Sequence, residues 1–233
     1  MTSIAELSLD VLYEDDVLLF VNKPPRLVVQ RGYDPDEPTL LDLAGEHAGK
    51  PVHLLQRLDR GTSGVIFFSK SSAMNVRITR QFETKRIKKT YLALCEGELA
   101  ERQTIDAPIA RIGAIKFGVR DDGRRSVTHI EPLSTTPNGT FLRIILETGR
   151  THQIRVHLSA IAHPLLGDWL YGDRHSAERP MLHAVLLEMT HPATREPLRV
   201  GAPLASDFCD EAAKRGIVLE SGQSDLPMLH VNH

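Results

Sequence analysis

The chain has 233 residues, 28 Lys or Arg against 30 Asp or Glu, and 41% hydrophobic content. That is enough for one large or two small soluble units with a real core. It excludes a helical membrane protein, because no apolar run approaches the roughly 18 residues a span needs. The two cysteines, Cys95 and Cys209, are far apart and outside any CxxC pair. This argues against a disulfide framework and for a reducing, cytoplasmic setting. The N-terminus has neither the basic nor the apolar region of a signal peptide.

In chain order, Val11 to Tyr13 and Val17 to Asn22 read as short strands, and Lys23-Pro24-Pro25 ends the second. Thr39 to Ala48 reads as a short helix. Val65 to Phe68 is a buried strand after the Gly61-Thr-Ser-Gly64 turn. Ser71 or Ser72 is placed to cap a helix running to about Thr84. Lys89 to Glu96 alternates as a strand, with Tyr91, Ala93 and Cys95 on one side. Val127 to Leu133 and Thr140 to Thr148 are strands around a Pro137-Asn-Gly139 turn. Thr151 to Ile161 is expected to be a helix, with Ile154, Leu158 and Ile161 toward the core. Met181 to Met189 and Leu198 to Val200 are strands, and Ala205 to Arg215 is a closing helix. Ser221 to His233 is expected to be a loosely held tail. Hairpin-like strands mixed with few helices predict an α+β fold: a largely antiparallel mixed sheet, flanking helices and a central catalytic cleft. One catalytic unit over 1–233 is expected, with its core at about 12–203.

Charge is unevenly placed. Residues 1–46 hold ten acidic and three basic side chains, whereas 77–125 hold twelve basic and seven acidic ones. A basic stripe on a near-neutral chain is able to track phosphates. Asp59 lies between Arg57 and Arg60, and neighbouring cations favour an ionised carboxylate.

Metal chemistry fits poorly. His152 and His157 lie five apart, on opposed sides of a helix, with Arg150 and Arg155 in the same turns. Ser63 lacks the G-x-S-x-G spacing of a nucleophile elbow. There is no Walker-type loop and no G-x-G-x-x-G fingerprint. Neither a metal, an ATP nor an NAD cofactor is expected.

Four segments in one order resemble the RluA family of RNA pseudouridine synthases. Arg57-Leu-Asp59 with Thr62-Ser-Gly64 is similar to the catalytic aspartate motif. Lys89-Thr-Tyr91 is similar to the tyrosine motif, and Gly149-Arg-Thr-His-Gln-Ile-Arg155 to the basic motif. Leu182-His-Ala184 is similar to the last active-site strand. His163-Pro164, Gly167-Asp168 and Tyr171-Gly172 match a further run. The resemblance implies isomerisation of uridine to pseudouridine in rRNA or tRNA by a monomer, with no cofactor and no membrane. It implies Asp59, Tyr91 and Arg155 as catalytic residues, with Arg155 as ion partner of Asp59. Arg57, Arg60, Thr62, Arg150, Gln153 and Leu182 would contact substrate. Gln56 departs from the usual His before the Arg-Leu-Asp motif. Barely ten residues precede the first strand, so the S4 domain of many relatives is expected to be missing. A non-catalytic RNA-binding or RNA-folding protein is the alternative. A glycoside hydrolase would need a second carboxylate across the scissile bond, and beside the other three motifs the only acidic residue is Glu147, on the strand before the Gly149 turn.

Overall fold

The computed structural model describes residues 8–32 and 36–219. The expected tail lies outside them. Contacts divide the chain into two compact units. Among the described residues, one holds those up to Ile87 together with Ala184–Pro203; the other holds Lys88–His183 and residues 204–219.

In the first unit, β1 (Val11–Glu14), β2 (Leu18–Lys23) and β4 (Ser63–Ser69) pair in that order, antiparallel, with β3 (His53–Leu54) on β4. Strand β11 (Leu182–Thr190) neighbours β4, and β12 (Pro197–Gly201) closes on β11. All seven residues of β4 are buried, which explains their continuous apolar run. On one face, Ile66 and Phe68 pack with Leu19, Val21, Leu40 and Ala44 under α1 (Leu40–Ala48). Phe67 alternates to the other face and stacks between Phe20 and Phe82 of α2 (Ser72–Glu83), at 5.2 and 6.3 Å. Helix α1 starts on a capping box: Thr39 Oγ1 accepts from Asp42 N–H, and the Asp42 carboxylate accepts from Thr39 N–H. Ser71 does occupy the N-cap of α2, but its side chain makes no capping bond.

Gly64 is held at φ +105°, and a Cβ there would lie 2.2 Å from the Ala184 carbonyl oxygen. The glycine therefore serves close approach of β11 to β4. Gly64→Ala combines a disfavoured backbone with overpacking against rigid main chain, and should cost at least about 2 kcal/mol. Urea unfolding checks this; a loss below ~0.5 kcal/mol, the ordinary surface scatter, would remove the steric argument.

In the second unit β5 (Lys88–Cys95), β10 (Gly139–Leu146), β9 (Val127–Thr136) and β6 (Gln103–Asp106) lie side by side in that order, all antiparallel, so that the hairpin β9–β10 sits between β5 and β6. A hairpin of β7 (Ile109–Arg111) and β8 (Phe117–Val119) forms its own small sheet. Thr90 to Cys95 are buried on both faces of β5, so its alternation does not mark a wet side. Helix α3 spans Gln153–Ala160, shorter than expected at both ends. Ile154 and Leu158 are buried, but Ile161, just past the helix, is only partly so. Helix α4 (Ser206–Lys214) sets Phe208 against Phe141 and beside His183. The fold is α+β.

Candidate active site

The aspartate loop joins β3 to β4. Leu58 packs on the apolar cluster under α1, which anchors the loop one residue before Asp59. Its other anchor is Lys23, which is 0% exposed. Lys23 Nζ donates to the carbonyls of Pro24, Leu27 and Arg60 at 2.8, 2.8 and 3.1 Å. An ammonium has three donors, and burying it is tolerable only when they are met. Arg26 N–H reaches the same Arg60 carbonyl at 2.8 Å, and Thr62 N–H donates to the Asp59 carbonyl at 3.1 Å. The backbone on both sides of Asp59 is therefore pinned from within.

The flanking cations do not cage the carboxylate. Arg60 forks onto Glu37 at 2.6 and 2.7 Å on the exposed surface. Arg57 is exposed and makes no hydrogen bond or ion pair with the described residues. Asp59 is half-buried and Thr62 buried. Gln56, the departure from the family pattern, is half-buried.

The second unit carries the other expected residues. Tyr91 lies on β5 opposite Ile144 and is 7% exposed. Leu182 opens β11, buried, with its carbonyl accepting from Arg179. Gln153 begins α3, and its amide is filled by protein. Its Nε2 donates to Val127 O and Thr128 Oγ1, while Oε1 accepts from Thr148 Oγ1 and Arg150 N–H. The residue expected to touch substrate thus shapes the entry to α3. Arg150 is half-buried and donates to the Arg125 carbonyl. Burial, with Arg124 nearby, makes its charge less favourable than usual.

Arg155 is 4% exposed. Its Nε and Nη2 donate to the two carboxylate oxygens of Asp168, each at 2.8 Å. Asp168 is 0% exposed and also accepts from the backbone N–H groups of Leu170 and Tyr171. Asp168 is the residue that sequence reasoning left without a task. The Gly167-Asp168 run was visible, but not its partner thirteen positions earlier. His157 is buried between Thr128 Oγ1 and the Ala107 carbonyl, and burial lowers its pKa. His152, in the left-handed region at φ 57°, bonds Tyr171 instead. Glu147 pairs with His129 at 2.8 Å. Among the described residues, no group of three or more His, Cys, Asp or Glu could hold a metal ion.

Lys89, two residues before Tyr91 on β5, has its pKa lowered from 10.5 to about 8 by burial. The folded state thus disfavours the proton that the unfolded chain keeps. The penalty is full below the folded value, and stability rises as pH climbs from about 8 toward 10.5. NMR titration of the lysine ε-methylenes should give one midpoint near pH 8; midpoints all at the usual lysine value would exclude it.

A family profile described as RNA pseudouridylate synthase matches residues 17–160. "Ribosomal large subunit pseudouridine synthase D" of Haemophilus influenzae is 35% identical over 87% of this chain and 69% of its own. The "Uncharacterized RNA pseudouridine synthase YjbO" of Bacillus subtilis is 37% identical over 86% and 74%. The solved structure of human RNA pseudouridylate synthase domain containing 4 superposes with a TM-score of 0.74 at 25% identity, covering 91% of this chain and 95% of that one.

Proposed function

The chain belongs to the RNA pseudouridylate synthase family, in its RluA branch, and from that premise we propose that it isomerises uridine in large-subunit ribosomal RNA with Asp59 as the reacting group. The enzyme class and RNA as partner follow from the family. The choice of RNA rests on the names of the relatives. The observation that supports Asp59 is its place in an Arg57-Leu-Asp59 loop pinned by Lys23.

The reaction breaks the N1–C1′ bond, turns the uracil, joins C5 to C1′, and moves the C5 proton off the ring. N1 takes up a proton from solvent as C5 loses one to it, so nothing is oxidised and no net atom is gained or lost. The Asp59 carboxylate serves this chemistry in its ionised form. Arg155 supplies the compensating positive charge, since a guanidinium stays protonated and binds carboxylates by a fork. Tyr91 stacks on the uracil, with its hydroxyl toward C5. Leu182 gives an apolar wall against water. The target base must leave its stack, at a cost of a few kcal/mol. Arg57, exposed and unpaired among the described residues, suits filling the vacated place. Arg60 and Arg150 reach phosphates. In this reading the enzyme works as a monomer in the cytoplasm without a nucleotide cofactor, as its rRNA-modifying relatives suggest.

The test is tritium release from ribosomal RNA labelled at uracil C5. Release in step with new pseudouridine is expected. RNA bound without release would leave a binding protein, and free uracil as product would indicate a hydrolase.

A further inference from the structure

The sole tryptophan, Trp169, is 56% exposed, against the usual tendency of an indole to be largely covered. Loose backbone does not explain this. Trp169 sits in a turn whose preceding residue, Asp168, accepts N–H bonds from Leu170 and Tyr171 through its side chain and from Gly172 through its carbonyl. The turn is tied at its far end by Ser159 Oγ, which donates to the Tyr171 carbonyl at 2.9 Å. At its start Gly167, at φ +71°, leaves no room for a Cβ, which would meet the Arg179 carbonyl oxygen at 2.2 Å.

The indole is also oriented. The Arg155 guanidinium lies 5.9 Å from the Trp169 ring centroid and 5.1 Å from that of Tyr171. The same guanidinium is fixed in its own plane by the fork to Asp168. Lys116 Nζ lies 5.9 Å from the Tyr171 ring. A rigid, exposed indole backed by one cation, with a second cation near its aromatic neighbour, matches a nucleobase carrying its phosphate.

We propose that Trp169 is a stacking platform for an unpaired nucleobase of the RNA substrate, separate from the uracil that reacts. The inference rests on the RNA-modifying reading and adds a binding position to it. Stacking gives affinity with little sequence demand, because every base offers a flat face. It also links binding to the cluster that carries Arg155.

The sole tryptophan makes the test direct. Its fluorescence is followed while the full chain is titrated with oligouridylate and with an unmodified large-subunit ribosomal RNA transcript. Filter retention measures binding independently. Saturable quenching is expected with both probes. Trp169→Ala should bind the transcript about tenfold more weakly, a loss of ~1.4 kcal/mol, with an unchanged slope of affinity against salt. Trp169→Phe, which keeps a ring, should recover most of the loss. No quenching when filters report saturation, or an alanine variant within twofold of the parent, would overturn the platform. So would a shallower salt slope in Trp169→Ala, since this would mean a lost phosphate contact rather than a lost stack. Failure of the parent chain to bind either RNA would instead remove the RNA-modifying reading and the platform with it.

Discussion

Asp59→Asn is expected to abolish pseudouridine formation while leaving RNA affinity within about twofold. The substitution keeps shape and removes only the charge and the reactive oxygen. Loss of a group essential to the chemical step is typically on the order of 10⁴-fold in turnover, or ~5.5 kcal/mol of transition-state stabilisation. The loop should not collapse, because its anchors lie elsewhere: Leu58 in the apolar cluster, and Lys23 on the Arg60 carbonyl. The loop should therefore keep its fold, with melting temperature lowered only by the charge that Asp59 is proposed to share with Arg155. Single-turnover tritium release at saturating RNA isolates chemistry from binding. Turnover within tenfold of the parent would mean that Asp59 is misassigned. A matched fall in melting temperature and RNA affinity would make the variant a folding defect.

Much of this loop was legible from residue order. Arg57-Leu-Asp59 and the glycine turn stand out, and the apolar run after them does continue as a fully buried strand. The electrostatics were less legible. Adjacent cations suggested a caged carboxylate, yet Arg60 reaches back to Glu37 across a fold contact that spacing does not reveal. Lys23 looked like the end of a strand, which it is, but a lone lysine before two prolines gives no sign of complete burial. The short strands β3, β6, β7 and β8 are not legible: two to four residues show little periodicity, and unlike Val11 to Tyr13 or Leu198 to Val200 none of them is an unbroken β-branched or apolar run flanked by turn residues. The motif marks Gln153 as a substrate ligand and is silent on what holds its amide. Its four protein hydrogen bonds depend on Val127, Thr128, Thr148 and Arg150, a constellation visible only once β9 and α3 are folded. Tertiary partners of buried polar groups are the recurring blind spot, since sequence periodicity reports which side is apolar and not what a polar group will meet there.

Asp168 tests that point most severely. Asp168→Asn should destabilise the protein by about 3–5 kcal/mol, because it removes the buried carboxylate charge onto which the Arg155 guanidinium is forked. For a chain of this size that corresponds to a melting temperature lower by roughly 6–20 °C. Turnover should fall as well, by ~10²-fold if the guanidinium shifts by an ångström or so. Lost stability and lost chemistry are separated by a double replacement, Arg155→Met with Asp168→Leu. Apolar side chains of similar volume often replace a buried ion pair at little cost. The unmet N–H groups of Leu170 and Tyr171 would take back about 1–3 kcal/mol each at most. The double variant, assayed below its own melting temperature, should still be inactive, which would place Arg155 in the chemistry and Asp168 in its positioning. If the double variant isomerises uridine at the parent rate, the pair only holds the fold and Arg155 loses its catalytic assignment. If Asp168→Asn melts like the parent, the Arg155 guanidinium is neutralised by another group and the fork is dispensable.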